Sequence, residues 1–176
     1  MIKLTGRRDC MYVKGEYVAK ANTGVCIIED IVLKRLTETS EEKEYYCLAP
    51  IADSRAKFFV PVDSDKSNLR KAMTEQEAWD LIHEIPDIKS KWIESDKFRE
   101  QEYKNAMRSN DPKALVSIIK NLYIRNKQRE EQGKKVTAID ERYFRMAETA
   151  LYSEIAHALD KQNEDMRQLI FDTITA

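Results

Sequence analysis

A chain of 176 residues with 42% apolar and 35% charged side chains has the composition of a folded globular protein, in one large domain or two small ones, and does not favour disorder. Its apolar runs are only a few residues long and MIKLTGRRDC lacks the apolar core of a signal peptide, so neither a membrane span nor a secretory leader is expected and the cytoplasm is the expected compartment. The net charge of −1 divides unevenly, with −3 over residues 1–88, +6 over 89–145 and −4 over 146–176, and a basic middle of that kind is expected to attract phosphates and to make binding salt-dependent.

Residues 13–73 read as β structure, because Tyr17, Val18, Val25, Ile27, Ile28, Ile31, Val32, Tyr45, Tyr46, Leu48, Phe58, Phe59, Val60 and Val62 are residue types that strands prefer. Breaks fall at Gly15, at Asn22-Thr23-Gly24, at Thr37 to Lys43, at Pro50 to Ser54 and at Asp63 to Ser67. Five short strands so spaced predict a small barrel or curled meander. Pro61 cannot donate to a ladder, which places it at an edge or a bulge, and an edge left open in this way can pair with a strand of another protein.

From Thr74 the period changes. Thr74 and Glu77 form a capping box, and Ala78, Leu81, Ile82 and Ile85 give a short helix that Pro86 ends. Pro86 to Ser95 is a connection that carries Trp92 between Lys91 and Ile93. The next helix, Asp96 to Ser109, is thinly apolar through Phe98, Tyr103, Ala106 and Met107, and stops at Ser109-Asn110. Asp111 can accept from free backbone N–H groups and Pro112 suits the first helical position, so a further helix starts there, with Leu115, Ile118, Ile119 and Leu122 on one apolar face. A basic turn, RNKQREEQGKK, contributes Arg125, Lys127, Arg129, Lys134 and Lys135, with Lys120 just upstream, as a candidate polyanion surface or a merely solvated face. Thr137 caps the following helix, with Asp140 three residues on in a near capping box. Its stripe runs through Tyr143, Met146, Ala147, Ala150, Leu151, Ile155 and Ala158, and a last short helix carries Met166, Leu169 and Ile170. The fold class is α+β. Residues 11–73 form the β domain and 74–176 the helical one, with the Thr74 helix and Pro86 to Ser95 serving as connection.

Little in the chain resembles catalytic machinery. Cys10, Cys26 and Cys47 are odd in number, widely spaced and without a CxxC pair, which suits reduced thiols better than disulfides or zinc, and only His83 and His157 accompany them. The four glycines make no phosphate-binding loop, and no Ser-His-Asp, Cys-His or HExxH pattern occurs. Glu29-Asp30 and Asp140-Glu141 read as ordinary surface and cap carboxylates. No enzyme activity, metal, cofactor or small-molecule substrate is expected.

The run MYVKGEYVAKANTGVCIIEDI, followed by EYYCLAP, FFVPVD and NLRKAMTEQEAWDLI, resembles the N-terminal domain of the CarD/CdnL family of bacterial transcription regulators, whose polymerase-interacting domain is related to that of transcription-repair coupling factor. The helical half is similar too, through SNDPKALVSIIKNLYIRNKQ and YSEIAHAL, so the likeness covers Met11 to about Leu159. Members typically begin where Met11 stands, and residues 1–10 are expected to be a poorly ordered extension. The resemblance implies a Tudor-like or SH3-like β-barrel that binds the β subunit of RNA polymerase, partly by strand-edge pairing. It also implies a helical domain that contacts promoter DNA at the upstream edge of the transcription bubble, where a tryptophan wedges into the minor groove between basic neighbours. That role maps onto Trp92, with Lys89, Lys91, Lys97 and Arg99 as matching cations and Lys134, Lys135 and Arg142 around the later helix start. Lys34, Arg55, Lys57 and Phe59 are the candidate polymerase-binding residues. The stretch from Trp92 to Asp111 is a few residues longer than in some members. Phe59 stands where some carry a basic residue, for which Lys34 is the better match, and Glu141 lies where some have a DNA-facing base.

A wedge needs a large apolar plane near cations, because unstacking a base step costs a few kcal/mol that new contacts must offset. Trp92 meets that need, and interdomain packing is its plainer reading. Trp79, on the Thr74 helix, reads as core or partly exposed packing. Two other functions stay open: an interaction adaptor whose helices bind protein and not DNA, and a helical ligand-binding or hydrolytic protein with a deep polar pocket.

Overall fold

The computed structural model describes residues 11–35, 41–63, 68–90 and 95–175. Residues 1–10, Lys91 and Trp92 lie outside them, and with them the expectations placed on that extension and on the wedge. Among the described residues five strands precede five α-helices. The strands are β1 (Tyr17–Lys20), β2 (Gly24–Lys34), β3 (Lys43–Pro50), β4 (Phe58–Pro61) and β5 (Leu69–Lys71). The helices are α1 (Glu75–Glu84), α2 (Asp96–Ser109), α3 (Pro112–Glu131), α4 (Ala138–Ala158) and α5 (Asn163–Thr175), with one 3-10 turn at Ile85–Asp87. None of the described helices is long and apolar enough to cross a membrane.

The strands make one antiparallel sheet in the order β4-β3-β2-β1-β5, a four-strand meander with β5 returning beside β1. The α+β class and the Tudor-like or SH3-like character expected of the β half hold. Pro61 lies in β4, an edge strand, as its missing N–H requires. A bulge at Glu29 sets the faces of β2. Ile28 pairs with Leu48, the register then shifts, and Ile31 pairs with Tyr46, so Asp30 turns outward where strict alternation would have carried it into the core. Tyr12, Val18, Cys26, Ile28, Tyr46, Leu48 and Val60 form the buried centre of this unit.

The helices have a separate core in which Leu81, Ile82, Ile85, Tyr103, Met107, Leu115, Ile119, Leu122, Leu151, Ile155 and Ile170 meet. Local signals set their limits. Thr74 and Glu77 make both halves of the capping box on α1. Asp111 accepts from the Lys113 N–H, with Pro112 at the first position of α3. The basic turn is shorter than expected, because α3 continues to Glu131. The helix closes on Gly133 (φ +69°), whose N–H reaches the Glu130 carbonyl at 2.9 Å while the Lys134 N–H reaches that of Arg129 at 2.8 Å, the paired bonds of a Schellman ending. Arg125, Lys127 and Arg129 therefore belong to a helix and not to a loop.

Polar contacts dock the two halves. Glu154 on α4, its side chain 3% exposed, takes the Arg70 guanidinium of β5 through two bonds of 2.5 Å and the Met73 N–H at 3.0 Å. Asn110 ends α2 in the left-handed region (φ 55°), and its amide donates to the carbonyls of Ala19 at 2.8 Å and Asn68 at 2.9 Å. Gly24 (φ +89°) admits α4 closely, since a Cβ there would stand 3.3 Å from Ser153 Oγ. The Tyr17 and His157 rings lie 4.4 Å apart.

Candidate functional site

The sheet presents β4 as an outer edge, paired through Tyr45 to Leu48 of β3 and ending at Pro61. Its opposite edge, β5, is tied to α4 through Arg70. Phe59 is exposed on β4, and the Lys34 ammonium stands 3.5 Å from its ring centroid, a cation-π contact that joins two sequence-predicted residues from strands not adjacent in the sheet. Leu33, 66% exposed near the end of β2, projects from the opposite face of the sheet. Lys57 pairs with Glu29 at 2.5 Å, and Arg55 lies in the exposed turn before β4 with its Nε 3.3 Å from Asp53. The strand edge therefore has an aromatic and a cation already brought together, beside Lys57 paired with Glu29 and Arg55 paired with Asp53.

On the helical side the predicted cations separate into two groups. Lys89 is exposed while its carbonyl accepts from Ser117 Oγ at 3.0 Å. Lys97 is exposed at the start of α2 beside Phe98, itself 60% exposed, with 5.9 Å between ammonium and ring. Lys134 and Lys135 are exposed after α3, and Arg142 is exposed on α4 with a 3.0 Å bond to Glu100 and its guanidinium 4.9 Å from the Tyr143 ring. These side chains offer positive charge at the surface.

Arg99 does not belong with them. It is 5% exposed and its Nε donates to Asp140 Oδ1 at 2.9 Å, so the expectation of a phosphate contact is corrected to an internal ion pair. The reason is helical phase: Arg99 falls on the α2 face that carries Tyr103 and Met107 into the core. Asp140, read from sequence as an ordinary cap carboxylate, is fully buried. Thr137 caps its N–H at 3.1 Å, but the reciprocal half of the capping box is replaced. Its carboxylate instead gathers Arg99, the Tyr103 hydroxyl at 3.3 Å and Arg125 Nε at 3.1 Å. Burial, and next the Asp140 charge, push the Tyr103 phenol well above its usual range, which keeps it a donor.

Lys120, counted from sequence among the surface cations, is also engaged inside. Its ammonium donates to the carbonyls of Ile85, of Pro86 at 3.2 Å and of Ile88 at 2.9 Å, and burial lowers its pKa from the usual lysine value. Sequence reasoning missed Asp140 and Lys120 as anchors. The available signal was a charged residue on an apolar stripe: Asp140 precedes Tyr143 and Ala147 at helical spacing, and Arg99 precedes Tyr103. Trp79 is partly exposed and stacks on His83 with 6.3 Å between ring centroids, as expected for a packing residue at the surface.

A family model described as the CarD-like/TRCF RID domain matches residues 12–73, and one described as the CarD C-terminal domain matches residues 77–171. No curated protein matches the chain. The first match covers the sheet and the second the helices, with the interface of Arg70, Asn110 and Glu154 between them. The chain thus belongs to the CarD-like family, non-enzymatic transcription regulators that interact with RNA polymerase.

Proposed function

We propose that the protein docks on the β subunit of RNA polymerase through the β4 edge and contacts promoter DNA at the upstream edge of the transcription bubble through its helical half, modulating the stability of the open complex. The observation that carries this reading is the asymmetry of the sheet: β5 is tied to α4 by the Arg70 and Glu154 pair, while β4 presents its edge with Phe59 and Lys34 already in contact. An edge strand offers main-chain hydrogen bonds to an incoming strand, and the aromatic and cation beside it supply side-chain selectivity. Lys34, Arg55, Lys57 and Phe59 form the polymerase-facing set. Trp92, Lys89, Lys91, Lys97, Lys134, Lys135 and Arg142 form the DNA-facing set, with Trp92 as the wedge. The division of labour follows residues 11–73 and 74–176, and the protein works in the cytoplasm beside the nucleoid.

The second reading is an adaptor whose helices bind protein. It is favoured by the internal use of Arg99, Lys120 and Arg125, which leaves less outward charge than the sequence suggests. Footprinting of a polymerase–promoter complex with and without the protein separates the two. Protection or hyperreactivity at the upstream bubble edge that disappears with Trp92→Ala, while a polymerase β fragment is still captured, supports the proposal. Retained capture with an unchanged footprint and unchanged open-complex lifetime refutes the DNA half of it.

A further inference from the structure

Two helices, α2 and α4, run from the sheet to surface cations, and one guanidinium ties their near ends together. Arg70 of β5 donates from Nε to the carbonyl of Asn110, which ends α2, at 2.6 Å, and forks onto the carboxylate of Glu154 in the second half of α4 through two bonds of 2.5 Å. The Asn110 amide returns to the sheet, donating to the carbonyls of Ala19 at 2.8 Å and Asn68 at 2.9 Å. At the starts of the same helices Arg99 meets Asp140 at 2.9 Å and Arg142 meets Glu100 at 3.0 Å, so the far ends also lie together, with Lys97 and Arg142 exposed there. Arg142 stands 12 residues from Glu154 and Lys97 13 from Asn110, about 18 and 20 Å along the helix axes. A turn of about 10° at the sheet would carry either cation by about 3 Å, the length of a hydrogen bond. The buried apolar clusters of sheet and helices are separate among the described residues, and domains joined without a shared apolar core move relative to one another by default. A guanidinium–carboxylate fork fixes orientation as well as distance.

We propose that Arg70 and Asn110 are positioning residues: they hold Lys97 and Arg142 at a fixed angle to the β4 edge, so that polymerase and DNA are engaged together. The inference rests on the two-surface reading above and adds to it two side chains that belong to neither surface. Joining two binding surfaces raises their combined affinity only when both can be engaged in one geometry. A loosened junction leaves each surface intact and loses the advantage of having both.

The test compares three affinities of the full chain: for a polymerase β fragment, for promoter duplex, and for the polymerase–promoter complex. Asn110→Gly keeps the left-handed helix ending, which glycine adopts freely, and deletes both amide bonds to the sheet. Arg70→Lys keeps the charge and removes the fork. Each is expected to leave the first two affinities unchanged and to weaken the third by roughly tenfold, a fraction of what joining two sites can add. Loss of stability alone would lower all three together, so the split between them is the discriminating readout. Where Arg70→Lys fails to fold by circular dichroism, Asn110→Gly carries the test. A third affinity unchanged in Asn110→Gly, or a fall in the first two as large as in the third, overturns the inference and leaves the two-surface reading standing. An unsubstituted chain that binds the complex no more tightly than the β fragment overturns both.

Discussion

Replacing Arg70 by Met tests whether the sheet and the helices form one cooperative unit. Glu154 is 3% exposed and Arg70 26% exposed in its side chain, with two 2.5 Å bonds between them, and Arg70 Nε also donates to the Asn110 carbonyl at 2.6 Å. Removing the guanidinium leaves the carboxylate buried with the Met73 N–H among its remaining contacts. Removal of one partner of a fully buried pair costs about 3–5 kcal/mol. Because Arg70 keeps some contact with water, which screens the pair, about 2–3 kcal/mol is the fair expectation. For a chain of this size about 1 kcal/mol moves Tm by about 2–4 °C, so Arg70→Met should lower it by about 5–10 °C. The two halves have separate cores, so the transition should also broaden or split, with amide NMR signals of the strands and helical ellipticity no longer coincident. The double variant Arg70→Met with Glu154→Met removes the stranded charge and should recover most of the loss. A shift below about 2 °C with coincident probes would refute the view that this pair braces the molecule.

Thr74→Ala should cost about 1 kcal/mol by chemical denaturation. The Thr74 backbone and hydroxyl bonds hold the Glu77 carboxyl below its usual pKa, so this contribution is present above the unfolded carboxylate pKa and fades as pH falls through the lower folded value. The Thr74→Ala penalty should accordingly shrink in acid, and a penalty constant from neutral pH to strong acid would contradict the assignment. Burial pushes the Cys26 thiol up to about 11, so peptide mapping after iodoacetamide at neutral pH should find Cys26 unmodified in the native protein and modified after denaturation. Rapid native labelling would place it at the surface. The same raised pKa makes its stabilising contribution complete below the unfolded thiol value, with loss as pH climbs toward 11. Lys134→Glu together with Lys135→Glu should weaken promoter association and reduce its salt slope by about 2, and a slope unchanged in filter binding would clear both side chains.

Much of this architecture was legible because it is written in contacts of three or four residues. Asp111 with Lys113, Thr74 with Glu77, and Thr137 with Asp140 are short-range hydrogen bonds whose donors and acceptors are neighbours in the chain. They placed the starts of α1, α3 and α4, and Ser109-Asn110 marked the end of α2. Pro61 likewise announced an edge from the absence of its own N–H. The family likeness, an ordered series of such local patterns, was visible for the same reason.

The use of the long charged side chains was decided elsewhere. Arg99, Lys97 and Arg142 look alike in sequence, yet one is an internal partner of Asp140 and two remain at the surface. Lys120 and Lys134 are both lysines of a basic stretch, yet Lys120 binds the carbonyls of Ile85, Pro86 and Ile88 at the 3-10 turn after α1 while Lys134 bonds its neighbour Gln132. A flexible side chain of four or five rotatable bonds takes whichever partner the packing of helices brings within reach, and that partner is 41 residues away for Arg99 and 84 for Arg70. Local chemistry in the sequence therefore determined the elements, the starts of α1, α3 and α4, and their order. The tertiary structure alone divided the charges between the scaffold and the surface, because burial and distance exist only once the helices have packed.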